Sequence, residues 1–237
     1  MKYHLLSLVL LSSFGSLQAG VIVPGTSDPK LAGMPDGAEA SNFSVAPGQS
    51  PVEFTGFPLV AGQRLLFSVT GTVSNGDFGS TDGPEGNASN VGPFNEGSEN
   101  GISNITAPIN ALLGIFLGPD QPDLSPAPAA LSFATLAERD FLELLPELKQ
   151  VFFIGNGRTS LNATQTFVVP VGATRLFLAT MDFSEYPNNS GAFDVEMSAV
   201  PEPATFACFG ALGLVLLGGG LRANRHRKLT DDNRGPH

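Results

Sequence analysis

The sequence predicts an all-β protein: an antiparallel β-sandwich with one short inserted helix, flanked by an N-terminal signal helix and a C-terminal transmembrane helix. Three observations support this class. Short segments that alternate apolar and polar residues recur along the chain. The 28 Gly and 19 Pro residues of the 237 often fall between these segments, as turns do between antiparallel strands. Each end of the chain also carries an apolar run of the kind that targets or anchors a protein.

The N-terminus has the order of a cleavable secretion signal. Basic residues precede an apolar run at 5–11, and small residues follow up to Ala19. We predict a signal peptide at 1–19, cut after Ala19. A buried helix at the start of a domain is the alternative, but the run lies at the extreme terminus and is too short to span a bilayer. Residues 20–50 then form an N-terminal extension.

The predicted β-sandwich domain covers residues 51–199. Its candidate strands share frequent Val, Phe, Leu and Thr residues and are separated by turn-forming residues. They lie at 50–60, 64–73, 111–117, 151–154, 164–169, 175–181 and 192–199. The polar, acidic and glycine-rich stretch 75–101 is predicted to be a long surface loop.

An insertion at 119–150 interrupts the strand pattern. Four prolines between 119 and 128 predict a loop. Thr135 and Glu138 then have the spacing of a capping box, in which each residue bonds the backbone of the other at the start of a helix. Apolar residues follow at helical spacing, so we predict a helix over 136–145 that ends before Pro146.

Charge and residue content exclude several classes of function. Residues 20–203 contain six Lys and Arg against 20 Asp and Glu, a net charge of −14, which argues against nucleic acid as a partner. The single cysteine, Cys208, allows no intramolecular disulfide. All three histidines lie outside 20–203, which removes His-dependent nucleophilic catalysis and the usual zinc ligands. The composition does not exclude catalysis by a pair of carboxylates, as in glycosidases, but we expect that the protein is not an enzyme.

The C-terminal region predicts a membrane anchor. Residues 204–221 form an uncharged, mostly apolar run of 18 residues, which at ~1.5 Å per residue just reaches across a hydrocarbon core. Basic residues follow and should stay on the cytoplasmic side, leaving 229–237 as a cytoplasmic tail. The basic residues are Arg222, Arg225, Arg227 and Lys228.

A short motif directly precedes this apolar run: Val200, Pro201, Glu202 and Pro203. The motif, the apolar run and the basic stop, at 200–228, together resemble the PEP-CTERM sorting signal. This resemblance implies export in a Gram-negative bacterium that makes exopolysaccharide. It also implies transient anchoring in the inner membrane, cleavage by the membrane protease-transpeptidase exosortase, and delivery to the cell surface or the extracellular space. The alternative is an ordinary single-span anchor.

The densest polar segment of the domain, residues 182–191, joins two predicted strands. Its Asp182, Asn188 and Asn189 side chains are hard oxygen donors, and Ca²⁺ takes ~6–8 oxygen ligands in proteins. The loop could therefore close around one ion. A plain hairpin loop is the alternative, because Asp, Asn, Pro and Gly are also turn formers.

Residues 167–178, followed by Asp182 and 188–193, resemble the C-terminal half of the PA-IL-like galactose-binding lectins. These are small jelly-roll β-sandwiches that bind sugar through calcium. The resemblance implies Asp182, Asn188 and Asn189 as side-chain ligands of Ca²⁺ and the backbone carbonyl of Asn75 as a further ligand, with another carbonyl from Glu185 or Tyr186. The family's sugar-contacting histidine has no counterpart here.

Two functions follow as expectations. The first is calcium-dependent binding of an extracellular polysaccharide or a galactose-like sugar by an exported lectin-like domain. The second is a non-enzymatic structural protein of the cell surface or biofilm matrix, without specific sugar binding. The acidic composition suits the retention of cations in either case.

Overall fold

The computed structural model describes residues 17–40, 43–76 and 81–200. The predicted transmembrane helix and most of the predicted signal peptide lie outside these residues. Within them, no helix has the length and apolar character to cross a membrane. The strands are β1 (Gln18–Pro24), β2 (Glu39–Ala40), β3 (Ser44–Val45), β4 (Val52–Glu53), β5 (Arg64–Ser74), β6 (Asn87–Pro93), β7 (Ile105–Ile109), β8 (Leu112–Leu117), β9 (Leu131–Ser132), β10 (Glu143–Leu144), β11 (Val151–Phe153), β12 (Thr166–Val168), β13 (Arg175–Thr180) and β14 (Ser190–Ala199). The predicted all-β class is confirmed.

The largest sheet has five strands in the order β1-β14-β5-β12-β10. Strand β14 pairs antiparallel with β5 from Ser190↔Ser74 to Ala199↔Leu65, and with β1 on its other side. Buried and exposed residues alternate along much of β5 and β14, because only one face of this sheet contributes to the core. The short pairing of β10 with β12 is parallel.

The second sheet has four strands in the order β11-β8-β13-β4. On one face, Phe152 stacks on Phe116 with ring centroids 5.2 Å apart and meets Phe167 of the five-stranded sheet at 5.8 Å. On the other face, Phe153 stacks at 5.7 Å on Phe133, which follows β9 in the insertion. Strand β8 is buried at every position because both faces of this sheet are covered.

Two smaller sheets complete the fold, β6-β7-β9 and β2-β3. All seven predicted strand segments contain a strand, although 50–60 holds only the two-residue β4. The prediction of 75–101 as a loop is wrong over β6, which pairs with β7. The error has a physical reason: β6 is a polar edge strand with mostly exposed side chains, so it lacks the apolar alternation that marks a half-buried strand.

The predicted helix over 136–145 is wrong beyond its first turn. Helix α1 covers only Leu136–Arg139, although its capping box is present: Thr135 N donates to Glu138 Oε2 at 2.7 Å, and Glu138 N donates to Thr135 Oγ1 at 3.3 Å. The chain then extends into β10. Strand pairing therefore overrides the helical spacing of the apolar residues, because Glu143 and Leu144 pair with β12 in the five-stranded sheet.

Candidate functional site

The loop between β13 and β14 lies at one end of the five-stranded sheet. Because Ser190 at the start of β14 is paired with Ser74 at the end of β5, the residue that follows β5, Asn75, comes close to this loop. Gly76 allows the approach: its φ is +73°, and a Cβ there would lie only 2.6 Å from the carbonyl oxygen of Asn188. The pairing of β5 with β14 thus brings distant parts of the sequence together.

A cleft of about 280 Å³ opens at this point. Three of the four predicted ligand residues, Asn75, Asp182 and Asn188, line it. The fourth, Asn189, does not line the cleft but contacts the Asp182 carboxylate. The remaining lining residues are Asn90, Asn95, Ile109, Phe183, Ser184 and Glu185. The structure therefore brings three of the four predicted residues to one small concave surface, with Asn189 beside Asp182.

Several side-chain oxygens of this set are buried without a hydrogen-bond partner among the described residues. Asp182 and Asn75 are each 5% exposed and Asn189 is 8% exposed. Asp182 Oδ1 accepts from Ser184 N at 3.2 Å, but Asp182 Oδ2, Asn75 Oδ1 and Asn189 Oδ1 have no such partner. An unsatisfied buried polar group costs ~1–3 kcal/mol. Three such acceptors in one region fit a cation bound among them.

The Asn75 contribution differs from what the lectin resemblance implied. The resemblance implied its backbone carbonyl, whereas the unpaired buried atom in the structure is the side-chain Oδ1. Asn75 directly follows β5, where the strand ends beside the β13–β14 loop. Either oxygen is a hard donor suited to Ca²⁺.

The orientation of the Asn189 amide is set by the N-terminal extension. Asn189 Nδ2 donates to the carbonyl oxygen of Gly25 at 3.1 Å, and Thr180 Oγ1 donates to the same oxygen at 2.7 Å. Because the nitrogen is engaged by Gly25, the amide is held in one orientation and its Oδ1 stays available as an acceptor. Gly25 therefore positions a candidate ligand without being one.

Burial controls the electrostatics of the site. It raises the pKa of Asp182 to about 6, although contacts with the Asn189 side chain and with backbone N–H groups partly oppose the rise. Tyr186, within the loop, is fully buried, and its hydroxyl lies 3.3 Å from Thr180 O and 3.2 Å from Asp182 O. Burial also raises the Tyr186 pKa well above its usual value. A buried carboxylate of this kind gains from a nearby positive charge.

The donor set is rich in amides. Across residues 17–40, 43–76 and 81–200, no three or more His, Cys, Asp or Glu side chains converge on one point. The site instead combines one carboxylate with amide oxygens. Such a set lacks the nitrogen and sulfur ligands that zinc and copper prefer, and it matches the oxygen chemistry of Ca²⁺.

Sequence reasoning missed one wall of the cleft. Asn90 lies in β6 and Asn95 just after it, where a loop was predicted, and both are exposed. They reach the site because Asn95 N donates to Phe183 O at 3.2 Å and because the Phe183 ring packs against Gly92. The run of asparagines between residues 87 and 95 was the available signal, but it does not reveal which loop it faces.

A second cleft, of about 400 Å³, lies beside α1. Its carboxylates already have partners: Glu85 Oε1 accepts from Asn156 N at 2.7 Å, and Asp140 Oδ1 accepts from Ser160 N at 2.7 Å. Three buried side-chain oxygens without partners belong to Asn75, Asp182 and Asn189, whereas none belongs to a residue that lines this second cleft; the others in the described residues are on Asp28, Ser44 and Gln165. The Asp182 cleft is therefore the stronger candidate for ligand binding.

The β-rich domain ends with β14 at Ala199. Residues 199–228 match the PEP-CTERM protein-sorting motif. The motif implies that the chain is exported, anchored at a membrane, processed by exosortase and sorted to the cell surface. No curated protein matches the chain, so the lectin resemblance gains no support from relatives. Apart from its first two residues, Ala199 and Val200, the motif lies outside the described residues.

Proposed function

We propose that this surface protein binds Ca²⁺ at the Asp182 loop and, through the ion, the hydroxyl groups of an extracellular polysaccharide. The five- and four-stranded sheets would then form the predicted β-sandwich, with the site at one of its ends. One observation carries the proposal: Asp182 Oδ2, Asn75 Oδ1 and Asn189 Oδ1 are buried acceptors without hydrogen-bond partners among the described residues.

The residues that would hold the ion are Asp182, Asn188, Asn189 and Asn75. Bound Ca²⁺ coordinates ~6–8 oxygens, so a protein set of this size leaves coordination positions for ligand hydroxyls. Asp182 would supply the charge, and the hydrogen bond from Asn189 Nδ2 to Gly25 O would leave Asn189 Oδ1 to coordinate the ion. The surrounding acidic surface raises the local concentration of cations.

The opposite wall of the cleft would orient the sugar. Asn90 and Asn95 present exposed amides that donate and accept hydrogen bonds, and the partly buried Phe183 ring supplies an apolar surface. At about 280 Å³, the cleft is at the lower limit of ordinary ligand pockets, ~300–1,000 Å³. It therefore suits a single sugar unit, and strong attachment would come from many copies at the cell surface.

A glycan array tests the proposal against a purely structural role in the matrix. The secreted protein is applied with Ca²⁺ and again with a chelator. We expect binding to a subset of glycans that is lost on chelation and restored by Ca²⁺. Binding to no glycan under either condition would support the structural alternative.

The sorting part of the proposal has its own test. Mass spectrometry of the protein recovered from the cell surface should show an N-terminus at Gly20 and loss of the residues beyond the Pro201 region. A surface protein that retains His237 would contradict cleavage of the tail.

A further inference from the structure

The second cleft, beside α1, contains a cation that the fold buries without an ion-pair partner. Arg139 is 8% exposed, and its Nη1 donates to Phe133 O at 2.7 Å and to Ala134 O at 3.0 Å. Its Nε and Nη2 have no hydrogen bond among the described residues, and no carboxylate of those residues forms an ion pair with the guanidinium. Buried charges are ordinarily paired, so this guanidinium is fixed in place with unused donors.

The unused donors face the cleft. Neither Nε nor Nη2 of Arg139 is among the buried side-chain atoms that lack a partner, so both stay accessible, and Arg139 lines the cleft. At about 400 Å³, the cleft lies in the range of ordinary ligand pockets, ~300–1,000 Å³. A guanidinium presents its donors as a rigid, planar fork, which suits two adjacent oxygen atoms of one ligand.

An acceptor lies in the same cleft. Glu85 Oε1 accepts from Asn156 N at 2.7 Å, which fixes the carboxylate, while Oε2 has no hydrogen bond among the described residues and is not sealed from solvent. Arg139 acts on Glu85 through its charge, which lowers a pKa that burial raises. Both oxygens of Asp140, the other carboxylate, accept from Ser160. The cleft therefore offers fixed donors beside one open acceptor. This pattern suits neighbouring sugar hydroxyls, because each hydroxyl both donates and accepts.

The two clefts adjoin across the start of β6. Gly86 and Ala88 line the second cleft, whereas Asn90 and Ile109 line the Asp182 cleft. Gly86 touches the other set directly, since a Cβ there would collide with the carbonyl oxygen of Ile109. Ala88 and Asn90 are two residues apart, so the chain between them spans at most about 7 Å.

The ridge between the clefts is an exposed bulge. From Asn87↔Ile109 to Val91↔Pro108, four steps along β6 correspond to one step along β7. The intervening residues 88–90 therefore leave the ladder, and all three are exposed. Bulges re-aim side chains beside functional sites. A chain-like ligand can cross this ridge and reach both clefts.

We propose that the second cleft is a calcium-independent subsite for the same polysaccharide. Arg139 donates to, and Glu85 accepts from, the hydroxyl groups of a sugar unit next to the one held in the Asp182 cleft. The subsite depends on the proposed polysaccharide binding but not on its calcium. Two linked subsites select a sugar chain over its free monosaccharide, because the second contact becomes intramolecular once the first has formed.

Matched variants of the secreted protein test the subsite on a glycan array that carries each sugar both as a monosaccharide and within an oligosaccharide. Glu85→Gln keeps an oxygen for Asn156 N but turns the open acceptor into a donor. Arg139→Lys keeps the charge but removes the planar fork. Arg64→Lys, in an exposed ion pair with Glu143, is the control. Each protein is measured in Ca²⁺ and in chelator.

In Ca²⁺, we expect both cleft variants to bind oligosaccharides about tenfold more weakly than the wild type, the effect of losing one hydrogen bond to a charged group. Monosaccharide binding and the control should be unchanged. Wild-type affinity of Glu85→Gln for oligosaccharides would overturn the inference, as would an equal loss for monosaccharides or binding of no glycan by the wild type. If calcium and chelator give the same wild-type binding but Glu85→Gln still weakens it, the subsite is retained and the calcium part of the proposed function fails.

Discussion

Replacing Asp182 with Asn should stabilise the calcium-free protein and abolish its response to calcium. Burial raises the pKa of Asp182 from 3.8 to about 6, which at ~1.4 kcal/mol per pH unit corresponds to at most about 3 kcal/mol lost from folding stability when the carboxylate is charged. The amide has nearly the same shape and carries no charge, so it avoids the cost of burying a carboxylate. A domain of this size gains ~2–4 °C in Tm per kcal/mol, so the calcium-free Tm should rise by up to about 10 °C at pH 7.5.

Calcium should close most of the stability gap between the two proteins. At a hundredfold excess over its Kd, a ligand that binds only the folded state adds ~2.7 kcal/mol, and this gain should appear in the wild type and not in Asp182→Asn. Differential scanning calorimetry with calcium and with chelator measures both effects. Asp123→Asn, on an exposed turn far along the sequence, is the matched control and should behave as wild type. A calcium-free Asp182→Asn protein less stable than wild type would refute the electrostatic argument, and identical wild-type melting in calcium and chelator would remove the site.

Three further outcomes follow from the structure. Burial raises the pKa of both Asp28 and Asp182 to about 6. The stability that these protonated carboxyl groups contribute is therefore fully present below about pH 3.8 and is lost as pH rises through about 6. In a pH series of melts, the calcium-free Tm should fall between pH 4.5 and 7.5, and Asp182→Asn should make that fall smaller. Gly76→Ala should abolish the calcium response, because its Cβ would lie 2.6 Å from the carbonyl oxygen of Asn188. Gly62→Ala, also at positive φ but with open space around it, should retain the response. Isothermal titration with Ca²⁺ measures the affinity of both variants, and equal binding by the two would contradict the packing argument. Phe167→Ala should cost ~3–5 kcal/mol in urea denaturation, because this fully buried ring meets Phe152 of the other sheet; a cost below ~1 kcal/mol would show that the two sheets do not share this contact.

Much of the strand pattern was predictable because the core strands follow simple periodicity. Strand β5 alternates buried and exposed residues over its first half, and β8 is a short continuous apolar run. Both patterns arise from which faces of a sheet are covered, so they are visible in one sequence. Strand β6 was missed because its exposed asparagines and small residues have no such pattern, and only its pairing with β7 makes it a strand.

The candidate site was predictable only in part, for the same reason. Asp182, Asn188 and Asn189 are close in sequence, so local composition was enough to group them. Their proximity to Asn75 depends on the register of β5 against β14, which the lectin resemblance implied but the residues alone do not give. The roles of Asn90 and Gly25 depend on long-range packing, and neither could be predicted from sequence.

Strand β14 is also a mechanical element. It runs from Ser190 beside the Asp182 loop to Ala199, where the chain leaves the sheet, and nine steps of ~3.3 Å make it about 30 Å long. If the bound ligand and the C-terminal attachment pull in opposite directions, tension runs along this strand. Sliding β14 out between β1 and β5 would require many cross-strand bonds to break together rather than one after another, as they do when a hairpin is peeled open. Under fluid flow we therefore expect the ligand to detach before the sheet unfolds.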